Sequence, residues 1–228
     1  MAEREFSEST DRIVATEPVE VRRYATHTRI NHWFTAALII LLILSGFALF
    51  WPRLFFLTAL FGGGQNARYI HPILGVAACL SFLLLFLQLW RLNLMRREDV
   101  VWASKITDLL AGHEERLPEL GKYNLGQKFV FWGMFWLLLT MVVSGIMIWQ
   151  QFFPDLVSIP VRRWAVLVHA ISAVLSVLVL IVHVYAAIWT RGTLSAMTSG
   201  KVTGGWAWKH HRKWLREVAR RQDKPPAE

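Results

Sequence analysis

Four long apolar runs constrain the fold of this chain more than any other feature. They cover about residues 33–50, 71–90, 129–149 and 164–189, and none of them contains Lys, Arg, Asp or Glu. Each is close to the ~20 residues that a helix needs to cross the hydrocarbon core of a bilayer. Backbone polar groups must be satisfied within the lipid, so such runs cross it as helices. The sequence therefore predicts an all-α membrane protein built as a four-helix transmembrane bundle.

The positively charged residues are divided unequally among the segments that flank these runs. Of the 25 Lys and Arg residues, 21 lie in residues 1–32, 91–128 and 191–228, and 4 lie in residues 51–70 and 151–163. Segments rich in Lys and Arg stay on the cytoplasmic side. We expect a multi-pass protein of the bacterial inner membrane, embedded in the lipid bilayer, with both termini in the cytoplasm. This topology explains the net charge of +9, and no nucleic acid partner is expected because no motif for one is found.

The polar segments predict three parts in the chain. Residues 1–22 include six acidic side chains and are expected to form a polar, loosely ordered N-terminal tail. Residues 23–192 are expected to form the four-helix domain, with a cytoplasmic loop at 91–128 that contains a short helix around 101–110. Residues 193–228 are expected to form a basic cytoplasmic tail.

Histidines are the residues in the apolar runs that point to chemistry. Ionisable residues at membrane depth usually mark function. A single histidine there often has only a structural role, hydrogen-bonding between helices, but four together make that interpretation much weaker. Those in the runs or at their edges are His32, His71, His169 and His183. The others are expected to be solvated surface residues (His113, His210 and His211) or a weaker alternative to His32 (His27).

The spacing of the histidines predicts two layers of ligands. His169 and His183 are 14 residues apart, which puts them on one helix face about 21 Å apart along the axis. His32 begins the first run on the side of His183, and His71 begins the second on the side of His169. Neutral imidazole is a good ligand for haem iron. The sequence therefore predicts two haem b groups, one held by His32 and His183 and the other by His71 and His169.

A zinc site is the competing interpretation of these histidines. Zinc needs three or four ligands that converge on one point. The histidines instead fall at two depths, two at each, and the runs contain no Asp or Glu to complete a set. The single cysteine, Cys79, excludes a c-type haem motif and an iron–sulfur cluster held by this chain alone. We interpret it as a small apolar helix residue.

Glycines in the runs are open to two interpretations. Gly75 follows His71 by four residues, and Gly46 follows His32 by 14. A glycine lets a helix backbone approach a flat porphyrin. It equally serves close packing between helices, for which Gly145 is a further candidate.

Six segments of the chain resemble the cytochrome b subunit, or gamma subunit, of membrane-bound formate dehydrogenase. Together they extend from about residue 24 to 217. They are RINHW (29–33), ARYIHPILG (67–75), GKYNLGQK (121–128), VLVHAISA (166–173), IVHVYAAIW (181–189) and GKVTGGWAWKHHRKWLRE (200–217).

The resemblance implies a di-haem module that reduces quinone, either menaquinone or ubiquinone. Such a module accepts electrons from an iron–sulfur beta subunit, which receives them from a molybdenum or tungsten alpha subunit that oxidises formate. The resemblance implies that His71 and His169 bind the outer haem, next to the beta subunit. It implies that His32 and His183 bind the inner haem.

The resemblance also implies a quinone pocket beside the inner haem, with an Asn-x-Gly-Gln element at Asn124, Gly126 and Gln127. Quinone reduction needs donors to two carbonyl oxygens, which Asn and Gln amides supply. From the residues alone, the same element equally predicts a helix start with Asn124 as its N-cap. The two roles are compatible.

Two rival functions remain at this point. One is the cytochrome b anchor of another periplasmic oxidoreductase, of the nickel–iron hydrogenase or thiosulfate/polysulfide reductase type. The other, from a different class, is a transporter or an anchor without a cofactor. Transporters often have broken helices and buried carboxylates in their spans, and the runs here show neither.

Overall fold

The structure, a computed structural model, describes residues 11–223, apart from the side chains of Thr16 and Glu114. Its α-helices are α1 (Thr26–Phe50), α2 (Gly64–Leu89), α3 (Arg97–Ser104), α4 (Ile106–Leu110), α5 (Leu125–Ile148), α6 (Ile159–Trp189), α7 (Thr193–Thr198), α8 (Gly204–His210) and α9 (Arg212–Gln222). Its strands are β1 (Arg12–Thr16), β2 (Val19–Arg22) and β3 (Lys201–Thr203), and short 3-10 helices cover Pro52–Phe61, Trp90–Asn93 and Glu114–Arg116.

Four of these helices, α1, α2, α5 and α6, are long and apolar enough to cross a membrane. The prediction of four spans in a mostly helical bundle is confirmed. The short helix expected around residues 101–110 is present as the two helices α3 and α4.

The membrane helices begin earlier than the apolar runs predict. Helix α1 begins at Thr26 and α2 at Gly64, so His32 and His71 lie more than one turn inside their helices rather than at the first residue. Hydropathy marks where side chains become apolar. Backbone hydrogen bonding continues through polar flanking residues until a cap ends the helix.

The chain divides into two compact units. The bundle unit consists of residues 30–87 and 132–182, and the sheet unit consists of residues 11–29, 88–131 and 183–223.

The bundle unit is held together by polar contacts as well as by aromatic packing. Asn31 donates to the Ser81 carbonyl oxygen at 2.9 Å and accepts from Ser81 Oγ at 2.8 Å, and Thr35 Oγ1 lies 2.6 Å from Ser81 Oγ. Phe86 of α2 stacks on Phe135 of α5 with ring centroids 4.2 Å apart. Lipid gives little hydrophobic drive for helix association, so such hydrogen bonds and close packing join the helices.

The sheet unit contains an antiparallel sheet in the order β1-β2-β3. The prediction of a loosely ordered N-terminal tail is wrong for residues 12–22, which form the β1–β2 hairpin, while residues 1–10 lie outside the described part of the chain. In β2, Val21 is fully buried and pairs with Val202 of β3. The alternation of apolar and polar residues in VEVR is what a half-buried strand needs, and the surrounding acidic residues hide this signal.

Asp11 fixes the start of this hairpin. Its carboxylate is buried and accepts hydrogen bonds from Lys122 Nζ at 2.7 Å and from Trp214 Nε1 at 2.9 Å. A buried charge is tolerated only when it is paired and hydrogen-bonded. Residues from the N-terminal, middle and C-terminal segments of the sheet unit therefore meet at one carboxylate.

The region predicted as a basic tail is folded over its described residues. Trp214 and Val218, one turn apart on α9, are fully buried in a core with Trp206 and Ala207 of α8. Two apolar residues at i and i+4 give α9 one apolar face, and its basic residues occupy the rest of the surface.

Arg23 lies buried in the centre of this core. Its guanidinium carbon is 4.9 to 5.7 Å from the ring centroids of Tyr24, Tyr123, Trp206 and Trp214. A guanidinium over several ring faces gains cation–π attraction, and more so when it is desolvated. The guanidinium also donates a hydrogen bond to the backbone carbonyl oxygen of Lys122.

His211 is fully buried, so its prediction as a solvated residue is wrong. Its Nδ1 lies 2.7 Å from the Gly121 carbonyl oxygen, which can only accept, so Nδ1 carries the hydrogen. Its Nε2 lies 3.4 Å from a guanidinium nitrogen of Arg23. Burial, and after it the positive charge of Arg23, hold the pKa of His211 well below its ordinary value of 6.5. The ring is therefore neutral in the folded protein.

The buried neutral state of His211 predicts that the sheet unit loses stability in acid. Below about pH 6.5 the unfolded chain binds a proton at this residue and the folded chain does not, so the free energy of unfolding falls as pH falls, by at most about 1.4 kcal/mol per pH unit. Above this pH His211 is neutral in both states, so it no longer makes the free energy of unfolding depend on pH. Thermal unfolding of the detergent-solubilised chain, followed by tryptophan fluorescence between about pH 7.5 and 5, measures the slope.

His211→Asn is expected to flatten this slope, because Asn keeps a donor for Gly121 and does not titrate. His113→Asn, at an exposed loop position, is the matched control and should leave the slope unchanged. An equal slope in wild type and His211→Asn would show that another group sets the acid sensitivity.

Candidate functional site

His71 and His169 meet inside the bundle unit. His71 lies on α2 and His169 on α6, both are half-buried, and their ring centroids are 6.4 Å apart with an angle of 69° between the planes. Two imidazoles that share one metal need centroids about 6 Å apart, because a metal–nitrogen bond is about 2 Å and the nitrogen lies roughly 1 Å from the ring centre. The structure therefore brings together the residues predicted as the outer ligand pair, at the spacing of a shared metal.

Each of these histidines has a serine partner on a neighbouring helix. Ser45 Oγ of α1 lies 2.7 Å from His71 Nδ1. Ser144 Oγ of α5 lies 3.0 Å from His169 Nδ1. All four membrane helices therefore contribute to this one site. The serines were not among the predicted site residues, although each precedes a glycine in the sequence, and that repeated Ser-Gly pair is the signal that could have found them.

The glycines after these serines lie against the same rings. A Cβ on Gly46 would lie 3.5 Å from His71 Cε1, and one on Gly145 would lie 3.4 Å from His169 Cε1. A Cβ at either position would make ordinary van der Waals contact with the ring, so each glycine leaves room for about one methyl group beside its histidine. By the same measure, Gly75 faces a leucine side chain at 3.9 Å rather than a histidine, as expected for a packing glycine.

The donor set of this site fits haem better than zinc. Within residues 11–223 no group of three or more His, Cys, Asp or Glu is placed to hold a metal ion. Two imidazoles with apolar helices around them would instead suit haem, whose porphyrin would supply the remaining nitrogen donors to the iron.

The residues predicted as the inner ligand pair, His32 and His183, belong to different units. In the bundle unit, the ring of His32 meets Trp33 edge-on with centroids 5.4 Å apart. In the sheet unit, His183 is half-buried on α6, which is continuous from Ile159 to Trp189. Their pairing remains a prediction from sequence spacing. His27, the weaker alternative to His32, lies on the first turn of α1, where its Nε2 is 3.3 Å from the side-chain amide of Gln88.

Asn124 and Gln127 form a capping box at the start of α5. Asn124 Oδ1 accepts from the Gln127 backbone N–H at 2.9 Å, and Gln127 Oε1 accepts from the Asn124 backbone N–H at 3.0 Å. The alternative prediction of Asn124 as an N-cap is confirmed. Gly126 is exposed, and a Cβ there would lie 3.4 Å from Asn124 Oδ1, so glycine leaves this capping oxygen uncrowded.

Comparisons with known proteins place the chain in a family. The sequence model described as prokaryotic cytochrome b561 matches residues 23–200. The chain belongs to the prokaryotic cytochrome b561 family. Membership implies bound haem b and an integral membrane protein, in agreement with the four spanning helices.

The curated relatives of this cytochrome b are named as subunits of formate dehydrogenases. The formate dehydrogenase cytochrome b556(fdo) subunit of Escherichia coli K12 is 42% identical over 202 residues, which are 89% of this chain and 95% of the relative. The cytochrome b556 subunit of Haemophilus influenzae formate dehydrogenase is 37% identical, over 90% of this chain and 87% of the relative. The cytochrome b556(Fdn) subunit of the nitrate-inducible formate dehydrogenase of Escherichia coli K12 is 33% identical, over 88% of this chain and 92% of the relative. The predicted resemblance to formate dehydrogenase cytochrome b subunits is confirmed.

An ion pair buried beside the capping box of this cytochrome b was not predicted from the sequence. Lys128 Nζ lies 2.6 Å from Asp99 Oδ2 and donates to the Leu94 carbonyl oxygen at 3.0 Å, and both charged side chains are buried. Asp99 also accepts from the Arg96 backbone N–H at 2.7 Å, which caps α3. The pair therefore ties the first turn of α5 to the start of α3.

Lys128→Met is expected to destabilise the sheet unit, because it leaves Asp99 charged, buried and without its partner. The expected loss is about 3 to 5 kcal/mol in the free energy of unfolding. The double variant Lys128→Met/Asp99→Asn removes both charges, keeps an oxygen for the α3 cap and should recover most of the loss. Chemical denaturation in detergent measures both values. A double variant as unstable as the single would mean that lost packing, rather than an unpaired charge, is responsible.

Proposed function

We propose that this chain is the di-haem cytochrome b membrane subunit of a respiratory formate dehydrogenase. In this role it passes electrons from a periplasmic iron–sulfur subunit to a membrane quinone, menaquinone or ubiquinone, near the cytoplasmic side. It is then one subunit of a formate:quinone oxidoreductase. In this proposal formate is oxidised on a separate molybdenum or tungsten subunit.

The observation that carries this proposal is the pair formed by His71 and His169, whose ring centroids are 6.4 Å apart inside the bundle unit. The relatives are named as cytochrome b556 subunits of formate dehydrogenase, which supports the choice of formate dehydrogenase over hydrogenase or thiosulfate and polysulfide reductases. A transporter is disfavoured, because the membrane helices are continuous and match a cytochrome family.

The residues proposed as haem ligands are His71 and His169 for the outer haem and His32 and His183 for the inner haem. Haem b, when bound, supplies one-electron transfer through the two oxidation states of its iron. The chain's own contribution is to hold neutral imidazoles in place and to surround them with apolar helices that limit solvent access.

Asn124, Gly126 and Gln127 are proposed to contact the quinone. The side-chain oxygens of Asn124 and Gln127 are used in the capping box, which leaves their NH₂ groups to donate to quinone carbonyl oxygens. The exposed Gly126 leaves the backbone open to a flat ring.

The proposed direction of transfer follows from the distribution of Lys and Arg, which supports cytoplasmic termini. Quinone reduction takes up protons, and at a site on this side they come from the cytoplasm. Electrons that arrive from the periplasm while protons leave the cytoplasm separate net charge across the membrane.

Replacing His71 or His169 by Ala is expected to remove the same haem. Each single variant and the double variant should retain about half of the wild-type haem, because a bis-histidine site fails when either ligand is lost. Haem content per chain, measured by the pyridine haemochrome assay, checks this. His113→Ala, at an exposed loop residue, is the control and should keep full haem content.

The remaining haem in these variants should depend on the other predicted pair. His32→Ala and His183→Ala are each expected to remove it. Retention of both haems in His169→Ala would show that the ligand assignment is wrong. Purified wild type without reducible b-type absorption bands would overturn the proposed function itself.

The quinone role of Asn124 is separable from its capping role. Asn124→Ala removes both the capping oxygen and the amide donor, whereas Asn124→Asp keeps the oxygen and lacks the N–H. We expect both variants to slow the reoxidation of the dithionite-reduced chain by a soluble quinone analogue, with both haem spectra retained. Absorption at the b-type band follows the reaction. If Asn124→Asp reacts at the wild-type rate, Asn124 is only a helix cap, whose loss weakens the helix by about 1 kcal/mol.

A further inference from the structure

We propose that Ser45 and Ser144 are positioning residues that hold His71 and His169 in the tautomer with hydrogen on Nδ1, so that Nε2 of each ring is presented to the metal. This inference rests on the proposed haem site and deepens it. Nothing in the sequence resemblance assigns a role to either serine, and both serines contact their histidines within the bundle unit.

The hydroxyl hydrogen of Ser45 has a fixed acceptor. Ser45 Oγ lies 2.8 Å from the backbone carbonyl oxygen of Leu41, one turn earlier on α1. A carbonyl oxygen can only accept, so the serine donates its hydrogen there and turns its lone pairs outward. Its Oγ is also 2.7 Å from His71 Nδ1. With the hydroxyl hydrogen already used, Nδ1 must be the donor in this second bond.

The same arrangement recurs on α5. Ser144 Oγ lies 2.7 Å from the Thr140 carbonyl oxygen, one turn earlier, and 3.0 Å from His169 Nδ1. Again the serine donates to its own helix and accepts from the histidine. The two serines therefore assign the same tautomer to two rings on two different helices.

A neutral imidazole has one N–H, and its other nitrogen has a lone pair that can bind a metal. If Nδ1 carries the hydrogen in both rings, Nε2 is the ligand atom in both. Metal-binding histidines almost always donate their other N–H to a fixed acceptor, which sets the ring orientation and raises the basicity of the ligand. The serines are placed to be that acceptor.

The glycine that follows each serine supports a built site rather than a chance contact. A Cβ built on Gly46 would lie 3.5 Å from Cε1 of His71, and one on Gly145 would lie 3.4 Å from Cε1 of His169. Each Ser-Gly pair therefore lies beside its histidine, with the serine hydrogen-bonded to Nδ1 and the glycine leaving space next to Cε1. The same pairing on two different helices is what a repeated, built arrangement would show.

The proposal predicts a change in reduction potential. An acceptor on Nδ1–H makes the ring a stronger electron donor, which stabilises ferric iron. Removing the acceptor with Ser45→Ala or Ser144→Ala should therefore raise the midpoint potential of one haem, and the double variant should raise it further. The other haem should be unaffected. Potentiometric titration of the b-type band of the purified full chain, together with the low-spin ferric EPR signal, measures the shift.

Ser176→Ala is the matched control. Ser176 is a buried serine on α6 that donates to the carbonyl oxygen of Ser172 at 2.8 Å, so its loss removes the same kind of helix bond without the histidine contact. It should leave both potentials unchanged. Ser45→Thr keeps the hydroxyl and should remain close to wild type. A variant series in which Ala loses one haem while Thr retains it would also support the positioning role.

Two outcomes would overturn the inference. In the first, Ser45→Ala and Ser144→Ala leave both potentials and EPR signals as in Ser176→Ala. In the second, all three alanine variants lose haem equally, which indicates general helix packing. In either case the wild type still shows b-type bands and the proposed function stands. Absence of those bands from wild type is the separate result that ends the proposed function.

Discussion

The absence of water around the membrane helices is the constraint on which the rest of this structure depends. A polar side chain within the lipid has no solvent partner, so it must find one on its own helix or on a neighbour. Ser45 meets this demand twice, through Leu41 and through His71. Ser144 does the same through Thr140 and His169. The hydrogen bonds from α1 to α2 and from α5 to α6 at these serines thereby also contact the candidate ligands.

Buried charged side chains in the sheet unit also need partners within the protein. Arg23, Asp11 and Lys122 are almost fully buried, and each has charged, aromatic or carbonyl partners within contact distance. Buried charges of this kind add little net stability, but removing one partner is strongly destabilising. They therefore favour the observed pairing of segments, in which the N-terminal hairpin, the segment before α5 and the C-terminal helices supply partners to one another's buried charges.

Family membership and geometry support the proposed function at different levels. The relatives named as formate dehydrogenase subunits cover most of this chain and indicate its type of complex. The structure adds what names cannot give: two histidines at the distance of a shared metal, each with a serine on Nδ1. The capping box at Asn124 and Gln127 shows that a candidate quinone element also has a structural role, so its two roles need separate tests.

The sequence by itself determined the four spans, the unequal share of Lys and Arg among the segments that flank them and the four histidines in the spans or at their edges. These are local properties: apolar runs of spanning length, flanking Lys and Arg, and fixed spacing along a helix. Only the tertiary structure decided that Ser45 and Ser144 face His71 and His169, that residues 12–22 form strands, and that His211 is buried. Each of these depends on a partner far away in the chain. A polar residue in sequence looks the same whether it meets water or a buried partner, and packing alone distinguishes the two.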